Sequence, residues 1–152
     1  MSTKIHHLTD GKGRPLVMLV APGQGGDSPM FAPLLEALSV PRAGPGRPRT
    51  RPEQVLADKA YSSKANRQLL RRRHISAVIP EPDDQIGHRR RRGSRGGRPV
   101  SFDRDQYKGR NVVERSFNQF KQWRGLATRY DKLALTYRGG VVLRAITIWL
   151  RQ

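Results

Sequence analysis

A tyrosine, an arginine, a glutamate and a lysine follow one another along residues 107–121 at a spacing that could serve phosphate chemistry. Tyr107, Arg110, Glu114 and Lys121 are separated by two, three and six residues. On one continuous helix their side chains would lie within about 60° of one another. A carboxylate beside two cations and a phenol suits metal binding next to phosphate-binding groups. Arg110 and Glu114 are also an i,i+4 pair of the kind found on many solvated helices, so the spacing alone leaves both interpretations open.

Asp58 is a second carboxylate in a position suited to chemistry. It directly follows the apolar residues 55–57 and precedes a segment of helical character. An aspartate at such a junction is usually a cap or a turn residue. Carboxylate oxygens are also the hard ligands that Mg²⁺ requires. The position of Asp58 is therefore compatible with a cap and with a metal ligand.

The composition points to nucleic acid before any motif is considered. The chain has 30 Lys and Arg against 12 Asp and Glu, a formal net charge of +18 and a pI near 11.6. Such a cation excess is typical of nucleic-acid-binding proteins, and the alternatives are an RNA-binding or ribosomal protein and a protein of anionic membrane surfaces. No segment approaches the ~18 apolar residues of a membrane span. The absence of Cys excludes disulfides and Cys-based zinc sites. Without a signal-peptide core, the cytoplasm is the default location.

Two basic segments, about residues 41–52 and 82–100, are expected to lie outside the core. The first holds four prolines, two glycines and four arginines, which is typical of a flexible loop. The second is Gly-rich and carries Arg89, Arg90, Arg91, Arg92 and Arg98. A run of like charge is expected to be disordered until it meets a polyanion. Because these arginines have no acidic partners nearby in the sequence, we expect them to contact phosphate rather than to form a solvated loop without function.

Between the basic segments, strands and helices alternate within one predicted domain, residues 1–152. Asp10-Gly11 between two apolar runs is a strong hairpin signal, and Ser28 and either Ser62 or Ser63 are candidate helix caps. The predicted order is strand, strand, helix, strand, helix, strand, basic loop, helix, helix. The predicted strands are 3–9, 14–21, 54–57 and 75–79, and the predicted helices are 29–39, 64–73, 104–123 and 135–150.

Several segments resemble the insertion-sequence DDE transposases of the IS4/IS5 type. The spacing Y-(2)-R-(3)-E-(6)-K of residues 107–121, followed by a Trp-Arg pair, resembles the family's signature. Residues 55–61, Val-Leu-Ala-Asp-Lys-Ala-Tyr, resemble the motif around the family's middle aspartate. Residues 3–11 resemble its second strand and hairpin, and residues 22–27 resemble the loop that follows. The resemblance covers nearly the whole chain and is to the C-terminal part of the catalytic domain of an IS5-type enzyme.

The resemblance implies an α/β fold of the RNase H-like kind, a mixed sheet flanked by helices. It implies Mg²⁺- or Mn²⁺-dependent cleavage and joining of DNA strands at insertion-sequence ends, with a two-metal site in the complete enzyme. Asp58 and Glu114 would be the catalytic metal ligands. Lys121 and Arg110 would contact phosphate near the scissile bond, and Tyr107 would support them. The arginines of the second basic segment would be non-specific DNA contacts.

The chain departs from the family's pattern at the first acid. In DDE enzymes that aspartate lies on the first, central strand of the sheet, and here no acid precedes Thr3. Asp10 in a turn and Asp27 in a later loop are not expected to replace it. We therefore expect a sheet that lacks its first strand and a site that is inactive in the chain alone. The alternative is a non-catalytic product that binds DNA, or that assembles with and inhibits a full-length transposase or the product of an upstream frame.

Overall fold

The computed structural model describes residues 3–151, which form four strands and seven α-helices of an α/β protein. Short 3₁₀ turns over Ser28–Met30, Lys59–Tyr61 and Gly93–Gly96 connect some of them. The strands are β1 (Thr3–Thr9), β2 (Pro15–Pro22), β3 (Gln54–Leu56) and β4 (Ser76–Val78). The helices are α1 (Phe31–Glu36), α2 (Lys64–Arg72), α3 (Asp83–Arg91), α4 (Arg104–Lys108), α5 (Asn111–Lys121), α6 (Arg124–Thr128) and α7 (Ala134–Trp149).

The described residues form two separate two-stranded sheets rather than one mixed sheet. Strands β1 and β2 are antiparallel, with Thr3 opposite Pro22 and an irregularity after Leu8. The predicted hairpin is confirmed, and Asp10 closes it by accepting hydrogen bonds from the amides of Lys12 and Arg14, both at 2.9 Å. Strands β3 and β4 are parallel, as expected for strands joined by a helix.

The contacts divide the chain into two compact units. Unit 1 comprises residues 1–50 and 111–152, and unit 2 comprises residues 51–110. The single domain expected from the sequence stays a prediction. No helix in the described part of the chain is long and apolar enough to cross a membrane.

The core of unit 1 forms where α5, α6 and α7 pack on one face of the hairpin. Its buried members are Phe120, Leu126, Tyr137, Val141, Ala145 and Ile148, and Ile5, Met18 and Val20 of the hairpin pack against them. A second cluster joins Val17 to Leu34 and Leu38 at the C-terminal end of α1. The hairpin is therefore covered by helices, which stabilises two strands that would be marginal alone.

Helix α7 carries two apolar faces, and only one of them is buried in unit 1. Leu143 and Ile146 are 59% and 49% exposed, whereas Val141 and Ile148 are nearly inaccessible. The buried face also contains Arg144, whose guanidinium donates to the carbonyl oxygen of Gln119 at 2.8 and 3.0 Å. These bonds satisfy a charged group that would otherwise be costly to bury.

In unit 2, β3 and β4 flank α2, which begins as predicted. The hydroxyl of Ser63 accepts a hydrogen bond from the amide of Asn66 at 3.1 Å and so caps the helix. One turn into the same helix, the guanidinium of Arg67 donates to the carbonyl oxygen of Ile79 at 2.8 Å. This bond ties α2 to the residue that follows β4.

The prediction of a disordered loop over residues 82–100 is wrong for its first half, which is helix α3. Asp83 and Asp84 occupy the first turn and the arginines the last, an arrangement that complements the helix dipole. Residues 93–96 then turn back over α3. A Cβ on Gly96 would lie 2.2 Å from the carbonyl oxygen of Arg89, so only glycine fits there. Residues 41–52 contain no regular strand or helix, as predicted.

The single helix predicted over residues 104–123 is also wrong, because it is interrupted at Gly109-Arg110. Helix α4 ends at Lys108, and tight turns close it through bonds from the amides of Gly109 and Arg110 to the carbonyls of Gln106 and Tyr107. Helix α5 begins at Asn111. Glycine favours such an interruption because it has the lowest helix propensity after proline.

Candidate functional site

Asp58 lies in unit 2, directly after β3, where the chain turns toward α2. Its backbone is extended, and one carboxylate oxygen accepts a hydrogen bond from the amide of Ala60 at 3.2 Å. It therefore does cap a short turn, as aspartates at such junctions usually do. About half of its side chain remains exposed, at 48%, so the carboxylate is also accessible to a ligand.

Two of the other predicted site residues lie beside Asp58 in unit 2. A guanidinium nitrogen of Arg110 is 3.8 Å from the second carboxylate oxygen of Asp58. The same guanidinium lies over the ring of Tyr107, 5.6 Å from its centre. That ring in turn packs edge-on against Phe102. The structure thus brings an acid, a cation and a phenol together at the end of a strand.

This arrangement is suited to ligand binding more than to stability. A partly exposed ion pair of this length contributes about 0–1 kcal/mol to folding. An arginine held by an aromatic ring presents its planar donors in a fixed orientation, which matches the oxygens of a phosphate. A carboxylate next to it offers hard oxygen ligands to a divalent cation. The trio can therefore serve both a metal ion and a phosphate.

Glu114 and Lys121 lie on α5 in unit 1 and line a cleft of about 460 Å³. Lys4 from β1 and Arg129 from the end of α6 also line it. Its apolar lining comes from Ile5, Phe117, Phe120, Leu126, Ala127 and Tyr137. A single carboxylate among three cations gives the cleft a net positive charge, which favours an anionic ligand.

The position of α5 is fixed by two neighbouring side chains that sequence reasoning did not assign to the site. The imidazole Nε2 of His7 lies 3.2 Å from the hydroxyl of Ser116, and the pair is buried. The His7 ring also packs edge-on against Phe117 at 4.1 Å. Burial lowers the pKa of His7 to about 4, so the ring is neutral near pH 7. His7 is thus a packing residue that sets where α5 and Glu114 lie on the hairpin.

His6 faces the opposite side of β1, as the alternation of a strand requires. Its Nδ1 lies 3.9 Å from a carboxylate oxygen of Asp27, and that oxygen also accepts from the ammonium of Lys4 at 2.5 Å. Burial lowers the pKa of His6, and the negative charge of Asp27 partly opposes the shift. Asp27 is therefore bonded to one of the cations that line the Glu114 cleft.

Each unit contains a carboxylate of the type that binds divalent metal ions. Asp58 and Glu114 both offer accessible carboxylates, the ligand type that Mg²⁺ and Mn²⁺ prefer. Among residues 3–151, however, no three His, Asp or Glu side chains converge on one point.

The predicted DNA-binding arginines of unit 2 do not share one environment. Arg90, Arg91, Arg92 and Arg98 are exposed on α3 and in the segment that follows it. Arg89 instead points inward and bonds the carboxylate of Glu81, with one contact at 2.5 Å. The expectation that these arginines have no acidic partner is wrong for Arg89. Glu81 precedes the run by eight residues, and about two turns of helix α3 bring the two side chains together.

Comparisons with known proteins agree on one family. The model of the transposase DDE domain matches residues 1–149. The chain is 31% identical over 151 residues to a protein named as a transposase for insertion sequence element IS6501 from Brucella ovis, and the match covers 99% of this chain and 100% of that protein. It is 32% identical over 132 residues to one named for insertion sequence element IS402 from Burkholderia cepacia, covering 87% of this chain and 55% of that protein. No solved structure matches the chain.

Proposed function

Because the chain belongs to the insertion-sequence DDE transposases, we propose that it acts on DNA in the cleavage and joining of strands at the ends of an insertion sequence. The observation that carries this proposal is the cleft of unit 1, in which Glu114 stands among Lys4, Lys121 and Arg129. A carboxylate among cations is what a site needs when it must hold both a metal ion and a phosphodiester.

The proposed roles follow the chemistry of each side chain. Asp58 and Glu114 are the metal-binding carboxylates, one in each unit. Arg110, oriented by the ring of Tyr107, binds phosphate in unit 2, and Lys121 does so in unit 1. Bound Mg²⁺ or Mn²⁺ would supply charge stabilisation at the oxygens that attack and leave phosphorus. The residues themselves orient the DNA backbone and neutralise its charge.

The exposed arginines of unit 2 add a binding surface that does not depend on sequence. Arg90, Arg91, Arg92 and Arg98 are exposed, and exposed arginines suit the phosphates of any duplex. With the net charge of +18, they would hold DNA while the two acids act.

An RNase H-like architecture of the IS5 type is the fold we propose for the complete catalytic domain. Its strand order of 3-2-1-4-5 contains an antiparallel 2-3 pair and a parallel 4-5 pair. The pairs β1–β2 and β3–β4 have these two orientations. These are the pairings of that order that do not involve a first, central strand.

A second candidate function is DNA binding without catalysis, in competition or in assembly with an intact transposase. The observation that favours it is that no three metal-binding side chains converge within residues 3–151. Removing one metal ligand from a two-metal site costs most of its charge stabilisation. A chain with two of three acids would then bind the ends of the element without joining them.

Titration of labelled duplexes with the purified chain at several salt concentrations tests the proposed interaction with DNA. We expect binding to terminal and unrelated duplexes, weakening steeply between about 50 and 200 mM salt, because each phosphate contact adds about −0.9 to the log–log slope. Replacing Arg90, Arg91 and Arg92 together by Ala should weaken binding equally on both duplexes. An affinity that does not change with salt would overturn the proposal.

Strand cleavage in Mg²⁺ or Mn²⁺ separates the two candidate functions. Binding of a duplex that carries the element's end, without any nicking or joining, supports the non-catalytic product. Cleavage that is lost in Glu114→Gln and kept in Glu36→Gln supports the enzyme. Glu36 is an exposed glutamate on α1 that does not line the cleft, so its replacement controls for the loss of one negative charge.

A further inference from the structure

Arg129 is held at the cleft in a backbone conformation that an arginine would ordinarily avoid. It ends α6 with φ of 52° and ψ of 51°, in the left-handed region. Helices usually place glycine in this conformation, because a Cβ there is crowded by its own backbone. The side chain is exposed, so packing in the core does not account for it. What the side chain does is line the Glu114 cleft.

The side chain of Arg129 lies close to the phenol of Tyr137, which lines the same cleft. Burial raises the pKa of Tyr137, and the positive charge of Arg129 partly opposes the shift. The Tyr137 hydroxyl donates to the carbonyl oxygen of Leu126 at 3.1 Å, and Tyr137 is only 2% exposed. A guanidinium carries five N–H donors, which suit the oxygens of an anionic ligand in the cleft.

Lys4 approaches the same cleft from β1. Its ammonium is bonded to Asp27 at 2.5 Å, and about a third of the side chain is exposed, at 35%. With Lys121 it completes three cations around Glu114, drawn from β1, α5 and the end of α6. Lys4 is distant in sequence from Lys121 and Arg129, so the fold brings the three cations to one cleft, which indicates a site for a concentrated negative charge.

We propose that Arg129 is a phosphate-binding residue of the Glu114 cleft and that, together with Lys4, it holds one phosphodiester of bound DNA. The inference rests on the DNA function proposed above and adds two contacts to it. The planar fork of a guanidinium matches two oxygens of a phosphate, whereas an ammonium contributes a point charge. Arg129 orients the phosphodiester, and Lys4 adds a second positive charge beside it.

Arg129→Gly tests the inference, because it removes the guanidinium while relieving the backbone. Glycine prefers a φ of this sign, so the thermal midpoint should equal or exceed that of the parent. The dissociation constant for a duplex should rise about threefold to tenfold at moderate salt. The slope of its logarithm against that of the salt concentration should fall by about one. Lower stability with unchanged DNA binding would make Arg129 structural and overturn the inference.

Arg124→Ala is the matched control, since Arg124 lies exposed at the start of the same helix and does not line the cleft. It should change the salt slope by less than half as much as Arg129→Gly. Equal effects would mean that Arg129 acts only as a general surface charge, which contradicts the proposed site. A parent chain that shows no salt-dependent binding would instead refute the proposed function itself. Binding by the parent with no effect of Arg129→Gly refutes the inference alone.

A double-mutant cycle tests whether the two cations hold the same phosphate. Lys4→Met keeps the length of the side chain and removes its charge. If both residues contact one phosphodiester, the double variant should lose less affinity than the product of the two single losses, because neighbouring contacts are not additive. A loss equal to that product would show independent contacts and would overturn the shared site.

Discussion

At the scale of single residues, the structure separates side chains that a ligand could reach from those that point inward. Glu114 is exposed and Arg110 is partly exposed, whereas His7 and Arg89 point inward. The sequence could indicate the first pair, because their spacing carries the family's signature. It could not indicate that Arg89 differs from its neighbours, since four identical residues in a row give no local signal. Arg89 differs from the other arginines because helix α3 places its guanidinium next to the carboxylate of Glu81.

His7 should make the free energy of unfolding depend on pH between about 6.5 and 4. Its pKa is about 4 in the folded chain against 6.5 when unfolded, so the unfolded state binds more protons in this window. Stability should therefore fall as the pH is lowered, by up to about 3 kcal/mol from this residue. Urea unfolding of His7→Gln should show a flatter pH profile than that of the parent. An equally steep profile in His7→Gln would exclude His7 as its source.

Replacement by Ala should affect stability at Arg89 and DNA binding at Arg90. Arg89→Ala leaves the largely buried Glu81 carboxylate without its partner and should lower the free energy of unfolding by about 1–3 kcal/mol. Arg90→Ala should leave stability within about 0.5 kcal/mol and weaken DNA binding. Chemical denaturation and duplex titration of both variants measure this. Equal stability of the two variants would show that the Arg89–Glu81 pair does not contribute to the free energy of unfolding.

At the scale of elements, the parts with strong local signals were predictable and the interrupted ones were not. The hairpin follows from Asp10-Gly11 between apolar runs, and the start of α2 follows from its Ser63 cap. The net charge of this segment indicates disorder, whereas the order of its charges indicates a helix. Aspartates in the first turn and arginines in the last are a helix signal. The break at Gly109 was missed because a single glycine is compatible with a continuous helix and with a stop.

Two glycines of the α3 region should respond oppositely to a methyl group. In Gly96→Ala the new Cβ would stand 2.2 Å from the carbonyl oxygen of Arg89, so the turn must move away from α3 and stability should fall by about 1–3 kcal/mol. In Gly87→Ala the Cβ would meet only a flexible arginine at 3.5 Å within the helix, and stability should be unchanged or rise by up to about 1 kcal/mol. Thermal unfolding of both variants checks the turn. A Gly96→Ala variant as stable as Gly87→Ala would contradict its close packing.

At the scale of the whole molecule, charge and sheet size set the stability of the chain. A net charge of +18 on 152 residues repels itself in the compact state. The described residues hold only two two-stranded sheets, and such sheets depend on the helices that cover them. Composition alone indicated the polyanion partner. The hairpin sheet could be predicted from its turn, whereas the pairing of β3 with β4 joins segments separated by helix α2, which no local pattern reveals.

The thermal midpoint should rise with ionic strength and rise further when duplex DNA is bound. Salt screens the self-repulsion of the cations, and a ligand that binds only the folded state stabilises it by mass action. Calorimetry at low and moderate salt, with and without a short duplex, measures both shifts. If the midpoint does not change when salt or duplex DNA is added, nearby acidic groups already neutralise the cations. That result would contradict a cationic surface that is free to bind DNA.

The most direct test of the central claim, that Asp58 and Glu114 are metal-binding carboxylates, is the affinity of the chain for Mn²⁺ measured by electron paramagnetic resonance in the presence of duplex DNA. The parent should bind Mn²⁺ weakly, and both Glu114→Gln and Asp58→Asn should lose at least about tenfold in affinity, since even outer partners of metal ligands are worth 10–100-fold. Glu36→Gln should bind Mn²⁺ as the parent does. Equal Mn²⁺ affinity in the parent, Glu114→Gln and Asp58→Asn would contradict the account.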